Sequence, residues 1–247
     1  MTDLWPIHHV NPDLRLRITR GLPPLPPALD AEVSRLWDAA QIRMGGRLFN
    51  GRVFSADRIA PDVIEGHWTE FRRIVARMDR PDLMADRPVR PLAAGGVISG
   101  GTGEHSFVVF GRRPAGAVYQ AGEWQLPPAG SIDSGAAVPG SDAVDWLGQL
   151  HTELEEELGL PASAVHSPRA LCIVEHPGSG VLDLGIAVHT NLSPAQIHAA
   201  HAAGGNGEYD PLELVPVAGL PAFLARHAGH VTRQAPVVLR HAGLLPG

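Results

Sequence analysis

The sequence contains no lysine; all 20 of the residues that carry a permanent positive charge are arginines. This absence excludes every mechanism that needs a lysine, whether a Schiff base, a lysine-bearing phosphate loop or a lysine general base. Positive charge is also in the minority, since 26 acidic residues leave a net charge of −6. Proteins that bind nucleic acid normally carry a basic excess, so we expect no nucleic-acid partner.

The chain has a single cysteine and no long apolar run. One cysteine excludes an intramolecular disulfide and a cysteine zinc cluster, and the apolar run ALCIV predicts a core position for Cys172. The first residues, MTDLWPIHHV, lack the basic stretch and apolar run of a signal peptide. No stretch approaches the roughly 18 to 20 apolar residues that a membrane span needs. We therefore expect a cytoplasmic protein with no membrane partner.

The length and apolar content are sufficient for one large domain with an extension. The chain has 247 residues, of which 44% are hydrophobic, and 28 glycines and 23 prolines that predict many connections. We expect an N-terminal extension over residues 1–85 and the main domain over residues 86–247. The extension could cover an active site, form the interface of a homodimer or only complete the core, and the sequence leaves these alternatives open.

Hydrophobic periodicity and turn residues predict the elements of the extension. Residues 1–29 end in a proline-rich stretch that favours an extended arm. Asp30 is expected to cap a helix. Short strands are expected on either side of a tight turn at Asn50 and Gly51, followed by an amphipathic helix over residues 67–78 and a linker from Asp79 to Pro91.

The main domain alternates apolar strands with helices, a pattern typical of layered α/β or α+β proteins. The helix over residues 142–158 has the strongest pattern, and Ser193 with Pro194 marks the start of a later helix. The expected strands lie at residues 93–99, 107–110, 124–128, 170–174, 181–189 and 212–217.

The segment HTELEEELGLP carries an unusual concentration of negative charge. At about 100° per residue, Leu154 and Leu158 fall on a buried stripe, and Glu153, Glu156 and Glu157 fall together on its flank. Like charges this close on a helix destabilise it, so the arrangement favours a bound cation such as Mg²⁺ or Mn²⁺. The alternative is an ordinary solvated helix face.

This segment resembles the second half of the Nudix hydrolase signature, R-E-U-x-E-E-x-G-U, where U is a bulky aliphatic residue. The match runs from Thr152 to Leu160 and includes Glu153, Glu156 and Glu157, with Thr152 in the position of the arginine. Gly130 takes the place of the leading glycine of the signature. The stretch between Gly130 and Thr152 is longer than in the family and lacks the glutamate of the spacer.

Other segments are similar to the UDP-glucose pyrophosphatase branch of the same family. They are an L-F-x-x-x-x-F pattern from Leu48 to Phe54, an L-x-x-x-Q pattern from Leu192 to Gln196, and residues 91–114. The resemblance implies an α/β (α+β) fold, a Nudix-type α/β/α sandwich around a mixed sheet, with the N-terminal extension added to it.

The resemblance also implies a metal-dependent pyrophosphohydrolase. It would cleave the diphosphate of a nucleoside diphosphate sugar, UDP-glucose-like, into a nucleoside monophosphate and a sugar 1-phosphate. The same chemistry on ADP-ribose, a dinucleotide or a prenyl diphosphate is the alternative. A Nudix-fold ligand-binding domain that has lost its activity is the non-enzyme alternative, and the partner in each case is a small-molecule diphosphate.

Site residues follow from the same resemblance. Glu153, Glu156 and Glu157 are expected to bind Mg²⁺ or Mn²⁺ and to take part in catalysis, with Glu153 as a ligand or the base. Glu208 is the first candidate for a further catalytic carboxylate from a later loop. Expected substrate contacts are Gly130, Glu175 and Arg112. Arg113, next to Arg112, could also face the substrate phosphate, and a solvated strand exit is the alternative for both arginines.

Overall fold

A computed structural model describes residues 5–86, 89–117 and 120–246. Its strands are β1 (Ile7–His9), β2 (Arg15–Ile18), β3 (Arg52–Ile59), β4 (Val63–Glu70), β5 (Leu92–Gly100), β6 (Phe107–Arg112), β7 (Trp124–Gln125), β8 (Ala129–Ser131), β9 (Ala143–Val144), β10 (Val165–Glu175), β11 (Leu182–Thr190) and β12 (Leu212–Pro216). Its helices are α1 (Pro27–Arg43), α2 (Phe71–Asp79), α3 (Trp146–Leu158), α4 (Pro194–Gly204), α5 (Leu220–Arg226) and α6 (Gln234–His241).

The central sheet is mixed. Its strands run in the order β1-β10-β11-β5-β6-β12, with β8 beside β5 and β7 beside β6. Strands β5 and β11 pair in parallel, and the other pairs are antiparallel. Successive side chains of a strand point to opposite faces of the sheet. Phe107 and Val109 of β6 therefore pack in one core, and Val108 and Phe110 pack in the other.

Helices cover both faces of this sheet. On one face, Leu150 and Leu154 of α3 and Ile197 of α4 share a core with the sheet. On the other face, Phe223 of α5 and Val238 of α6 do the same. Each helix buries an apolar stripe against the sheet. The predicted α+β layering, helix on sheet on helix around a mixed sheet, is confirmed.

The first residues do not form the extended arm that the prolines predict. Strand β1 pairs with β10 at the edge of the central sheet. Strand β2 pairs in parallel with β4 and antiparallel with β9 in a second sheet of order β3-β4-β2-β9. Leu16 of β2 is 1% exposed and contributes to the same core as α3. The strands form ahead of the proline-rich stretch, which lies between β2 and α1, and burial of their apolar side chains favours them.

Several element boundaries differ from the sequence prediction. Helix α1 begins at Pro27, ahead of Asp30, because a proline is well tolerated in the first turn of a helix. Asn50 and Gly51 do not form the hairpin turn; β3 and β4 are joined at residues 60–62, and β4 runs to Glu70 before α2 begins. The predicted linker contains a 3₁₀ turn at Pro81–Met84, and its residues 87 and 88 lie outside the described residues.

The acidic helix begins later than predicted. Its first four expected residues include β9, which pairs with β2, and Asp145 then caps α3 by accepting a hydrogen bond from the Gly148 amide at 2.8 Å. The indole of Trp146 donates to the carbonyl of Leu14 at 2.9 Å, so the start of α3 is fixed to the N-terminal segment. Within the described residues, no helix combines the length and apolar character needed to cross a membrane.

Cys172 offers a test of this fold. The thiol is fully buried in β10, and burial raises the pKa of the thiol to about 12. We expect a thiol-specific disulfide reagent at pH 8 to leave the native protein almost unreacted and to modify the cysteine promptly in denaturant. Rapid stoichiometric labelling of the native protein would contradict the placement of β10 inside the sheet.

Candidate functional site

Helix α3 places its glutamates at different depths. Leu150, Leu154 and Leu158 lie in the core, and the helix ends at Gly159 in the left-handed conformation at φ 64°. The flank that the sequence predicts as one cluster is divided. Glu157 is only 1% exposed, Glu153 is half-buried, and Glu156 is exposed.

Glu153 lies against the backbone of β8. A Cβ atom added at Gly130 would lie 2.0 Å from Oε1 of Glu153, so only glycine leaves room for this carboxylate. The Gln149 amide donates a hydrogen bond to the same Oε1 at 2.8 Å. Burial raises the pKa of Glu153 to about 7 in spite of that hydrogen bond, and nearby Glu156 and Glu208 add to the rise.

The residue that orients Glu153 is one that the sequence analysis missed. Thr152, which stands at the position of the family's arginine, is exposed and donates to the carbonyl of Gly148 at 3.1 Å. Gln149 instead lies one turn before Glu153 on the inner face and is 7% exposed. The sequence feature that predicts this contact is the four-residue spacing of Gln149 and Glu153, which places their side chains next to each other on a helix.

Glu157 is the most deeply buried acidic residue of the helix. Its Oε2 accepts a hydrogen bond from the Ala129 amide at 2.9 Å, and its Oε1 has no hydrogen-bond partner among the described residues. Burial raises the pKa of Glu157 to about 9, and Glu208 and Glu153 contribute to the rise. A buried carboxylate oxygen without a partner is costly, so this atom has room for a proton or a cation.

Glu208 comes to α3 from the loop after α4. The Asn206 amide donates to the carbonyl of Glu156 at 2.9 Å, and the Glu208 amide donates to Oδ1 of Asn206 at 2.9 Å. These bonds attach the loop to the last turn of the helix. The Glu208 carboxylate forms an ion pair with Arg113, with 2.5 Å between Oε1 and Nη1. The structure therefore brings Glu208 together with Glu153 and Glu157.

The two arginines after the core of β6 point in different directions. Arg112 is exposed, and its Nε donates to the carbonyl of Gly122 at 3.0 Å. Arg113 turns the other way, as successive residues of an extended segment do, and lines the same cavity as Gly130 and Glu208. Arg113, and not Arg112, lines this cavity, and the substrate contact expected at Arg112 stays a prediction.

Glu175 does not join the site. Its Oε2 accepts hydrogen bonds from His8 and Arg90, both at 2.9 Å, at the end of β10 where β1 pairs with it. Burial would raise the pKa of Glu175, but the hydrogen bond from His8 and the charge of Arg90 lower it overall. Glu175 does not line the cavity, and its contacts hold β1 and Arg90 to β10 instead of reaching a substrate.

A cavity of about 530 Å³ is lined by Gly130, Arg113 and Glu208, whereas the glutamates of α3 are not among its lining residues. The end of α1, helix α2 and helix α6 also line it, through residues that include Met44, Phe71, Val75, Met78, Gln234 and Val238. The extension therefore contributes lining residues to the same cavity as Gly130 and Glu208.

The donor atoms of the site suit a divalent cation. Carboxylate oxygens are the ligands that Mg²⁺ and Mn²⁺ prefer, and the unpartnered Oε1 of Glu157 provides one within the protein. In the part of the chain that the structure describes, no three His, Cys, Asp or Glu side chains are gathered around one point as a finished metal site. Glu208 is engaged by Arg113, and Glu156 is exposed at the surface.

Comparisons with known proteins show a limited likeness. No protein-family model matches the sequence, and no curated protein matches it. The protein DR0079 from Deinococcus radiodurans is 15% identical with a TM-score of 0.46, over 76% of this chain and 98% of that one. The Nudix domain of Shewanella oneidensis NrtR, in complex with ADP-ribose, is 12% identical with a TM-score of 0.44, over 64% and 89%.

A MutT/Nudix family protein from Listeria innocua is 14% identical with a TM-score of 0.44, over 64% of this chain and 94% of that one. These identities and scores are too low to assign this chain to a family. The case for its function therefore depends on its own residues.

The buried glutamates predict an unusual pH dependence of stability. Glutamate in an unfolded chain titrates near pH 4.3, whereas burial raises the pKa values of Glu153 and Glu157 to about 7 and 9. The folded state therefore holds more protons, and the free energy of unfolding in EDTA should fall as the pH rises from about 5 to about 9. Glu157→Gln should flatten this fall, and Glu155→Gln, at an exposed position of the same helix, should not. Parallel urea-denaturation profiles for the two variants would contradict the burial of Glu157.

Gly130→Ala tests the contact between β8 and Glu153. The added methyl group would displace the flexible carboxylate towards water, so the pKa of Glu153 should fall towards the ordinary range for glutamate. A ¹³C NMR titration of the side-chain carboxyl groups measures this directly. Gly116→Ala is the matched control, because a Cβ atom there meets nothing within 4 Å. An unchanged Glu153 titration in Gly130→Ala would show that the carboxylate does not lie on β8.

Proposed function

We propose that this chain is a divalent-metal-dependent pyrophosphohydrolase of the Nudix type. The observation that carries the proposal is the position of Glu157, buried at the end of the acidic helix with one oxygen unpartnered, next to Glu153 and Glu208. Glu208 lines a cavity large enough for a small molecule, and the two inner glutamates of α3 contact residues of β8 that line the same cavity. The same glutamates match the family signature in sequence, so two independent features support one chemistry.

Each residue has a role in this proposal. Glu157 and Glu153, with Glu156 at the surface side of the same turn, would hold Mg²⁺ or Mn²⁺. A divalent cation bound there offsets the negative charge of a diphosphate and makes water more acidic. Glu153, oriented by Gln149, would accept the proton of the attacking water. Glu208 would supply a further carboxylate from the loop.

The proposed substrate is a nucleoside diphosphate sugar, with UDP-glucose-like compounds first. Water would attack one phosphorus atom of the diphosphate, and the bond from that phosphorus to the bridging oxygen would break. The products would be a nucleoside monophosphate and a sugar 1-phosphate. This choice is supported by the sequence resemblance to one branch of the family, and ADP-ribose, dinucleotides and prenyl diphosphates are the alternatives.

The activity test is phosphate release from a panel of UDP-sugars, ADP-ribose, dinucleotides and prenyl diphosphates. A coupled phosphatase reports the monoester products, with Mg²⁺ or Mn²⁺ present and an EDTA control. Metal-dependent turnover that prefers UDP-sugars supports the whole proposal. Preference for another diphosphate keeps the chemistry and replaces the substrate, and no turnover of any compound contradicts the enzyme.

Glu157→Gln separates the proposed site from an adventitious activity. We expect kcat to fall by about two orders of magnitude or more, the size of effect seen when a group that stabilises charge in the transition state is removed. Glu155→Gln should keep nearly full activity, since its side chain is exposed on the same helix. Equal activity of both variants would exclude the site.

Thr152 favours one alternative function, which is ligand binding without catalysis. If the loss of the family's arginine has abolished catalysis, the same cavity would serve as a ligand-binding domain. A diphosphate would then raise the melting temperature without being consumed, and Thr152→Arg would be the variant in which to look for restored turnover.

A further inference from the structure

Arg113 and Glu208 form an ion pair inside the wall of the cavity. The side chains are 15% and 31% exposed, and both contribute to the cavity beside Gly130. Tyr209, which follows Glu208 in the chain, is fully buried. Burial raises the pKa of its hydroxyl, and the charges of Glu157, Arg113 and Glu208 also act on it. The ion pair is therefore a partly desolvated pair that faces the same space a substrate would enter.

The surroundings of this pair are strongly negative. Glu157 and Glu153 both interact electrostatically with Glu208, and Arg113 is the cation that acts on Glu157. Arg43 is the other cation in the lining of the cavity, and it belongs to the wall built by the extension, where it pairs with Asp79 at 2.9 Å. Arg113 is thus the positive charge that stands among the candidate metal-binding carboxylates.

In this ion pair, Arg113 occupies the carboxylate that a cation would bind, and Glu208 occupies the guanidinium that a phosphate would bind. Oε1 of Glu208 and Nη1 of Arg113 are engaged with each other, so a cation or a phosphate must displace this bond to reach them, while Nε of Arg113 is buried without a hydrogen-bond partner among the described residues. Separating a partly buried ion pair without replacement leaves an uncompensated charge, which is costly. A diphosphate supplies the replacement for Glu208, because a guanidinium binds phosphate oxygens well. A divalent cation supplies the replacement for Arg113.

We propose that Arg113 is the diphosphate-binding cation of this site, and that its ion pair with Glu208 is exchanged when the site is loaded. Arg113 turns to the diphosphate while Glu208 turns to the metal ion. The inference rests on the proposed function, and it adds a coupling: occupation of one position lowers the cost of occupying the other. The pair also offsets part of the negative charge of these surroundings.

The exchange predicts shifts of opposite sign when each ligand is titrated alone. Glu208→Gln frees Arg113, so methylenediphosphonate, a diphosphate that cannot be hydrolysed, should bind about fivefold more tightly or better in metal-free solution. Arg113→Met frees Glu208, so Mn²⁺ without diphosphonate should bind more tightly, while diphosphonate binding is lost. Isothermal titration calorimetry measures both affinities, and no turnover is needed.

Three further variants separate this mechanism from a general charge effect. Asp79→Asn removes a negative charge from the same cavity and frees Arg43, and it should leave diphosphonate affinity nearly unchanged. The double variant Arg113→Met with Glu208→Gln should lose the gain, because the gain acts through Arg113. Arg113→Lys should retain part of the diphosphonate affinity. Thermal unfolding by circular dichroism shows which variants are folded.

Two results would overturn the inference. One is that folded Glu208→Gln binds diphosphonate no more tightly than the wild-type protein does. The ion pair would then have only a structural role. The other is an equal gain in Asp79→Asn, which would make the effect one of net charge. Turnover of a diphosphate by the wild-type protein with either result would overturn the exchange and leave the proposed hydrolase standing. The expected shifts in affinity without turnover of any diphosphate would support the exchange and contradict the proposed hydrolase.

Discussion

The contact between the inner glutamates of α3 and the backbone of β8 is the constraint on which the site depends. The Ala129 amide bonds Glu157, and the missing side chain of Gly130 makes room for Glu153. Burying two carboxylates opposes folding, because each loses its hydration and repels the other. The apolar stripe of the helix, with Leu150 and Leu154 in the core, supplies the burial that holds the helix in place.

The N-terminal segment is integrated with the rest of the chain. Strand β1 extends the central sheet, and β2 joins the second sheet, to which β9 from the segment before α3 also belongs. Trp146 at the start of α3 bonds the carbonyl of Leu14. The same segment that shapes one wall of the cavity therefore also fixes the position of the acidic helix, and cavity shape and carboxylate position depend on each other.

Two contacts reduce the electrostatic cost of gathering these carboxylates. Arg113 offsets part of the negative charge through its pair with Glu208, and Gln149 donates to Glu153 without adding charge. The Gln149 amide thereby orients Glu153. In the family signature, the residue directly before this glutamate is an arginine. An amide satisfies the hydrogen bond but leaves the pKa of Glu153 high, since it brings no positive charge.

The sequence by itself determined the elements with strong local signals. The periodicity of α3, the cap at Ser193 with its reciprocal bond from Gln196, and the apolar strands β5, β10 and β11 depend on neighbours a few residues apart. The acidic motif likewise predicted a helix with Glu153 on the flank of its buried stripe, and the structure places Glu153 against Gly130, the other residue of the motif.

Only the tertiary structure decided which charged groups meet. Glu208 reaches α3 through its loop, Arg113 and not Arg112 faces the cavity, and Glu175 is taken by His8 and Arg90. The loop bonds at Asn206 place Glu208, whereas strand direction decides the other two outcomes, since one residue along a strand reverses the direction of a side chain. The sequence did not predict β1 and β2, because their partners, β10 and β4, lie far away in sequence and no local pattern reveals such pairing.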